Sequence, residues 1–275
     1  MRRSPEEQAQ RRRYDELHPR AQAPVMLSIE RQVCGCDYGA NSWTTLVEAQ
    51  RIAALLELRA GMRLLDIGAG SGWPGLHLAK MSGCDVALVD VPLAGLRIAA
   101  ERAVRDRISS AYWIAVADAA GLPFRDGSFD AVSHSDVLCC LTEKRAVLEA
   151  CRRTIRSGGR MAFTVISVTP GLSREDHERA VAYGPEFVES DTDYPTLLAQ
   201  TGWTVLDRQD ITMDYAASCR RQIRADEERG EELQALLGPS EFAERQADWR
   251  SKVGAIDNGL LRRELFVGAA NSAST

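Results

Sequence analysis

The feature that most constrains this chain is a short apolar strand, Arg63-Leu-Leu-Asp-Ile67, that runs directly into Gly68-Ala-Gly70-Ser-Gly72-Trp-Pro74-Gly75. Glycines let a chain turn tightly at a strand end and let a ligand lie against bare backbone. Pro74 suits a first helical turn, where its missing N–H costs nothing. The string parses two ways, as Gly70-x-Gly72-x-x-Gly75 or as Gly68-x-Gly70-x-Gly72. A dinucleotide fingerprint starts straight after its strand, and its third glycine packs the helix onto the sheet. Counted from Gly68, that third position is Trp73. An indole is too large for the role.

The surrounding pattern predicts an α/β fold. Leu46, Val47, Ala49, Ile52, Ala53, Leu55 and Leu56 recur at helical spacing. Further apolar runs at 85–90, 112–117, 129–134 and 161–166 read as strands, with helices at 93–107 and 144–155 between them. Strands at 203–211 and 263–269 complete the set. Alternation of this kind implies βαβ units, here a Rossmann-like, seven-stranded, mostly parallel sheet with helices on both faces. Two segments interrupt the alternation. Residues 169–195 form one insertion, and 214–252, broken at Gly238-Pro239, reads as two inserted helices. Both fall near the sheet end where open α/β folds bind ligands.

Composition excludes several classes. The 275 residues are 45% hydrophobic, enough for a core in one or two domains. A net charge of −5 argues against nucleic-acid binding through bulk positive charge. No apolar run approaches 18 residues, and Met1-Arg-Arg-Ser-Pro-Glu-Glu lacks the apolar core of a secretory signal. The seven cysteines form no paired CxxC knuckles, so neither a metal site nor a disulfide framework is expected. A cytoplasmic protein, monomer or homodimer, with no nucleic-acid or membrane partner follows as the expectation. Residues 1–20 mix six arginines with four acids and read as a frayed or helical extension.

The glycine loop resembles the first motif of class I S-adenosylmethionine-dependent methyltransferases, in which a hydrophobic strand and an acidic residue precede GxGxG. Other landmarks follow in order. Asp90 closes the second strand, 18 residues after Gly72. A carboxylate there can accept both ribose hydroxyls of an adenosyl group. Asp118 and the run Leu122-Pro-Phe-Arg-Asp-Gly-Ser-Phe-Asp130 match the family's third-strand segment, whose acid contacts the adenine amino group. Ile155-Arg-Ser-Gly-Gly159 resembles its L-x-P-G-G turn, with Ser157 in place of proline. The resemblance implies cofactor contacts from Asp66, Gly68, Ala69, Gly70, Gly72, Asp90, Val91, Asp118 and Ala119, with S-adenosylmethionine as cofactor and no metal. It also implies an antiparallel last strand and a helical cap.

Methyl transfer from a sulfonium is an in-line displacement whose leaving group departs as a neutral thioether. A base helps only where the acceptor must lose a proton. The carboxyl end of the fourth strand, Ser133-His134-Ser135-Asp136, faces the methyl group in the implied fold. His134 reads as a cofactor contact, a base or a structural residue. Asp136 reads as a base, as a group that orients a substrate amine, or as the cap of the next helix. Cys139 and Cys140 read as packing residues. Upstream, Tyr38 reads as a cofactor contact or a packing residue, and Trp43 as a wall of the substrate pocket. His177, beside Asp176, is a substrate-side candidate or a solvated helix residue. His18 and His77 carry no chemical neighbours in sequence.

The domain reading is 1–43 as an N-terminal extension and cofactor-covering segment, 44–270 as the methyltransferase domain, and 271–275 as a tail. The insertions 169–195 and 214–252 form a substrate cap, with dimerisation as the alternative role for 214–252. The function expected is methylation of a small organic molecule at oxygen, nitrogen or carbon. A protein or RNA methyltransferase is the alternative, and an NAD(P)-binding oxidoreductase the second.

Overall fold

A computed structural model of the chain describes residues 4–39 and 42–271. Arg2, Arg3, Asn41 and all of the expected tail except Asn271 lie outside the described residues. Seven strands form one sheet in the order β3-β2-β1-β4-β5-β7-β6. They are β1 (Arg63–Ile67), β2 (Asp85–Asp90), β3 (Tyr112–Val116), β4 (Phe129–Ser135), β5 (Ile155–Val168), β6 (Trp203–Asp210) and β7 (Leu261–Ala270). β1 to β5 pair in parallel, while β7 runs antiparallel to both β5 and β6. The strand order reverses between β1 and β4. That switch point leaves a crevice beyond their carboxyl ends.

Strand parity divides the core. Leu64, Val86, Leu88, Ala131, Ala162 and Leu265 face one side, under α3 (Leu46–Leu55), α4 (Gly75–Ser82) and α5 (Leu93–Arg105). Leu65, Ala87, Val132, Met161, Phe163 and Phe266 face the other, under α6 (Lys144–Thr154) and α8 (Tyr194–Gln200). Both faces are buried, as a parallel sheet requires. The turn resembling L-x-P-G-G is present within β5. Pairing jumps from Phe129–Ile155 to Ala131–Arg160, and Gly158 takes φ +73°.

The additions lie around the crevice. Residues 4–34 form α1 (Pro5–Arg20) and α2 (Pro24–Cys34). Ser4 and Glu7 close a capping box that starts α1, so this extension is helical rather than frayed. Residues 169–193 carry α7 (Arg174–Tyr183). The segment expected as two helices is three: α9 (Thr212–Glu228), α10 (Gly230–Leu237) and α11 (Pro239–Asp257). The break at Gly238-Pro239 stands. The additional one follows from Arg229, whose φ −115° and ψ 26° end α9 one residue before Gly230. Leu233, Leu237 and Phe242 then pack with the core cluster that includes α2, away from the crevice.

Candidate functional site

A cavity of about 1210 Å³ lies beyond the carboxyl ends of β1, β2 and β4. Gly68, Ala69, Gly70 and Ser71 form one wall. Gly68 and Gly70 take φ +67° and +48°, conformations in which a Cβ is strained. The loop therefore has to be glycine at both places, and it presents backbone to the cavity. Gly72 holds the turn, its N–H donating to the Ala69 carbonyl at 2.7 Å, but does not line the cavity.

Asp90, Val91, Asp118 and Ala119 continue the same wall. Burial pushes the Asp90 carboxyl up to about 6, against two N–H donors, Gly70 to Oδ2 and Val91 to Oδ1, each at 2.7 Å. Each oxygen keeps a lone pair for a further donor. Asp118 accepts from the Ala120 N–H at 3.0 Å, which caps a short 3-10 turn. The fully buried Ser71 hydroxyl has no partner among the described residues. A bare glycine loop, a carboxylate at the end of each neighbouring strand and an orphan hydroxyl fit an adenosyl cofactor bearing hydroxyls and an amino group.

Two expected contacts turn away from the cavity. Asp66 is fully buried on the opposite face of the sheet, where Oδ1 accepts from Ser133 Oγ at 2.5 Å and Oδ2 from the Gly75 N–H at 3.1 Å. It ties β1 to β4 and to the start of α4, and burial raises its carboxyl to about 7. His134 sits inside the sheet core with no exposed surface, stacked on Phe163 at 4.6 Å. Neither ring nitrogen finds a partner among the described residues, and burial lowers its pKa to about 3. Such an imidazole does not line the cavity, so the cofactor-contact and base readings are corrected and the structural one stands. Position 134 shares the parity of Val132 and points into helix-covered core.

Asp136 does line the cavity, but its carboxylate is engaged. Both oxygens pair with the Arg263 guanidinium at 3.0 Å, and Arg263 also donates to Glu48 at 2.7 Å. With both oxygens held by a buried guanidinium, the carboxylate is committed to Arg263, so Asp136 is corrected from base to anchor. Its φ of +55° aims it inward.

Trp43 is in the cavity wall as expected, edge-on to Tyr215 at 5.3 Å and to Trp249 at 5.0 Å. Tyr38 is buried outside the cavity, between the Arg102 guanidinium at 3.7 Å and the Trp73 ring at 5.0 Å. Its packing role is the one the structure supports. His177 is half exposed on α7 and bonds Glu189 at 2.9 Å, away from the cavity. Among the described residues, no group of three or more His, Cys, Asp or Glu is placed to hold a metal ion. None of their helices is long and apolar enough to cross a membrane.

The family model described as "Methyltransferase domain" matches residues 65–163, the segment from β1 into β5 that carries the cofactor wall. The 27-O-demethylrifamycin SV methyltransferase of Amycolatopsis mediterranei (strain S699) is 30% identical over 184 residues, covering 64% of this chain and 68% of that one. The chain belongs to the class I S-adenosylmethionine-dependent methyltransferases. The phosphoethanolamine N-methyltransferase of Triticum aestivum is 22% identical over 214 residues, 78% of this chain but 42% of its own. A solved phosphoethanolamine N-methyltransferase 2 of Haemonchus contortus, in complex with phosphomonomethylethanolamine and S-adenosylhomocysteine, superimposes with a TM-score of 0.77 at 19% identity. That match spans 94% of this chain and 60% of the nematode chain, and it shows the shared fold.

Sequence reasoning missed part of this methyltransferase's cavity. α1 crosses the mouth and contributes Gln10, Tyr14, Leu17 and His18. His18 lies against the glycine loop, since a Cβ on Gly70 would meet its Cε1 at 2.9 Å and one on Gly95 its Cδ2 at 2.9 Å. Burial lowers its pKa to about 4, so the ring is neutral at physiological pH. At the other end, Trp249 and Lys252 of α11 complete the wall that Trp43 begins. A heptad-like count along 1–20 could have placed Gln10, Tyr14 and Leu17 on one helix face. Nothing local distinguishes Lys252 from a solvated lysine.

Proposed function

We propose that this chain methylates a small organic acceptor, with S-adenosylmethionine held along the glycine loop and the acceptor held between β4 and α11. The observation that carries this reading is one continuous cavity of about 1210 Å³, with the glycine wall at one end and the Trp43–Trp249–Lys252 wall at the other. Ligand pockets usually enclose roughly 300–1,000 Å³, so this one has room for a cofactor and an acceptor together. When bound, the cofactor supplies an electrophilic methyl group on a sulfonium. The chain's own part is to align the acceptor, exclude water and take up any proton the acceptor must release.

Asp90 would accept from the ribose hydroxyls, and Asp118 with Ala119 would meet the adenine. Val91 and Ala69 would flank the ring, and the backbone of Gly68 and Gly70 would meet the amino-acid portion. α1 and α2 form the cofactor-side cover, while α7 and α11 form the acceptor-side cap. A cavity roofed by a helix favours a small acceptor over a folded protein or RNA. The O- and N-methyltransferases among the relatives support a small acceptor without choosing its atom.

Isothermal titration tests the reading. Heat of binding from S-adenosylmethionine and S-adenosylhomocysteine, with none from NADH, is the expected result. Binding of NADH alone would return the chain to the oxidoreductase class.

A further inference from the structure

The acceptor end of the cavity carries one cation that no carboxylate pairs with at ion-pair distance among the described residues. Lys252 lines it on α11, with Nζ 4.8 Å from the Trp249 ring centroid and 6.0 Å from that of Trp43. No hydrogen bond or ion pair of Lys252 exists among the described residues, although cations elsewhere in the wall are paired. Arg13 pairs with Glu186, and Arg245 is bound twice by the fully buried Asp226. The groups facing Lys252 are Asp248 one turn earlier, Cys219 on α9, and Cys139 and Cys140 in the short turn after β4. Beside it stands a polar group without a partner among the described residues, Trp249 Nε1.

We propose that Lys252 Nζ receives the proton of an acidic hydroxyl, a phenol or enol, on a planar conjugated acceptor seated against Trp43 and Trp249. This rests on the methyltransferase reading above. In the step, the acceptor O–H bond breaks and its electron pair stays on oxygen. An N–H bond forms on the neutral amine, leaving an oxyanion beside an ammonium. The oxygen is then the nucleophile, and Nζ returns its proton to solvent after product leaves.

Three observations favour this acceptor. Trp43 and Trp249 line the cavity and offer flat apolar surface, which suits a conjugated ring system, with the buried Tyr215 ring edge-on behind Trp43. An ammonium acceptor would meet Lys252 where Asp136 is already committed to Arg263. Burial also holds the Lys252 ammonium below the usual lysine range, which favours the neutral amine that a proton acceptor must be. Once the proton has moved, the ammonium gains the oxyanion while keeping both indole faces.

The test uses 4-nitrophenol, 2-naphthol and 7-hydroxycoumarin, whose phenolates absorb differently from their phenols. Each is titrated from pH 5 to 10 with the whole protein saturated with S-adenosylhomocysteine. Wild type should bind at least one phenol with its apparent pKa lowered tenfold or more in proton affinity relative to free solution. Lys252→Met should abolish that lowering while keeping cofactor affinity within twofold. Lys252→Arg should keep it, because a guanidinium still pairs with a phenolate, yet should lower kcat for a methylated phenol because it cannot take a proton. Lys252→Gln serves if the methionine variant fails to fold. An unshifted phenol in wild type, an unchanged shift in Lys252→Met and Lys252→Gln, or no phenol bound by protein that holds S-adenosylhomocysteine would each overturn the proposal. Failure to bind S-adenosylhomocysteine would instead overturn the methyltransferase reading beneath it.

Discussion

Arg263 on β7 and Asp136 just past β4 form a buried two-point pair, with Nε and Nη2 each 3.0 Å from a carboxylate oxygen. Glu48 takes a third donor at 2.7 Å, so one cation fastens the antiparallel strand, the β4 terminus and α3. Removing one partner of such a group strands a buried charge, which typically costs about 3–5 kcal/mol. Arg263→Met should therefore lower the melting temperature sharply in the absence of any ligand. Adding Asp136→Asn and Glu48→Gln to it should restore much of the loss in a denaturant titration. Independent, additive losses across the three positions would contradict a shared network.

Asp90→Ala should weaken S-adenosylhomocysteine binding by about 1.5–3 kcal/mol for each hydrogen bond made to the charged carboxylate. The unliganded melting temperature should move little, and added ligand should raise it less than in wild type. Because burial raises this carboxyl to about 6, it protonates as pH falls through that value. Affinity should then fall between pH 7 and 5 in wild type and stay flat in the variant. Equal ligand stabilisation of the two proteins would remove Asp90 from the cofactor site.

Asp66 makes the opposite kind of statement about pH. Its folded pKa of about 7 lies above the ordinary 3.8. The folded state thus binds the extra proton, and stability falls as pH rises from about 4 through 7. Asp66→Asn keeps one acceptor, for the Gly75 N–H, turns its NH2 toward the Ser133 hydroxyl oxygen and carries no charge. Its stability should be flatter over that window, as chemical denaturation at pH 5 and pH 8 will show.

His134→Leu should leave turnover within a few fold of wild type, since the imidazole touches neither the cavity nor a partner. Each orphaned buried nitrogen costs roughly 1–3 kcal/mol, so the leucine variant should be as stable or more stable. Its folded pKa of about 3 lies below the ordinary 6.5, so the wild type loses stability as pH falls below that value. The variant should lack that contribution. A loss of kcat beyond a hundredfold with the fold intact would restore His134 to the mechanism.

Trp249→Ala should lower kcat/KM for the acceptor by removing half of the indole wall, with cofactor affinity unchanged. Leu233, Leu237 and Phe242 belong to a different experiment, because they pack with the core cluster that includes α2. Alanine there should destabilise the protein rather than alter acceptor choice. Calorimetry alongside steady-state kinetics separates the two outcomes.

The fold was readable because its signals are local. Strand runs, helix stripes and the glycine turn each lie within a few residues, and the β-strand boundaries agree to within a few residues apart from β5. The cofactor wall was readable for the same reason, since Gly68, Asp90 and Asp118 each end a strand. The acceptor wall was not. Trp43 meets Trp249 across more than 200 positions, and no spacing rule spans that distance. His134 was misplaced by its position near a strand terminus, where one residue decides between core and cavity. Asp136 was placed correctly but misread, because its partner Arg263 lies on the last strand.

The roof over the cavity is fastened by polar pairs at its margins and by His18 packed against the glycine loop. α1 holds through Arg13 to Glu186 at 2.9 Å, Arg20 to Glu241 at 2.7 Å, Glu7 to Thr142 at 2.6 Å and Asp15 to the Ala94 N–H at 3.0 Å. Exposed ion pairs contribute only about 0–1 kcal/mol each, while the sheet beneath is sealed by apolar packing on both faces. With much of its hold made of exposed pairs, this helix is expected to open at a lower free energy than the one that melts the sheet. Traffic of cofactor and product would in this way be uncoupled from the integrity of the domain, with added salt quickening exchange while the scaffold stays whole.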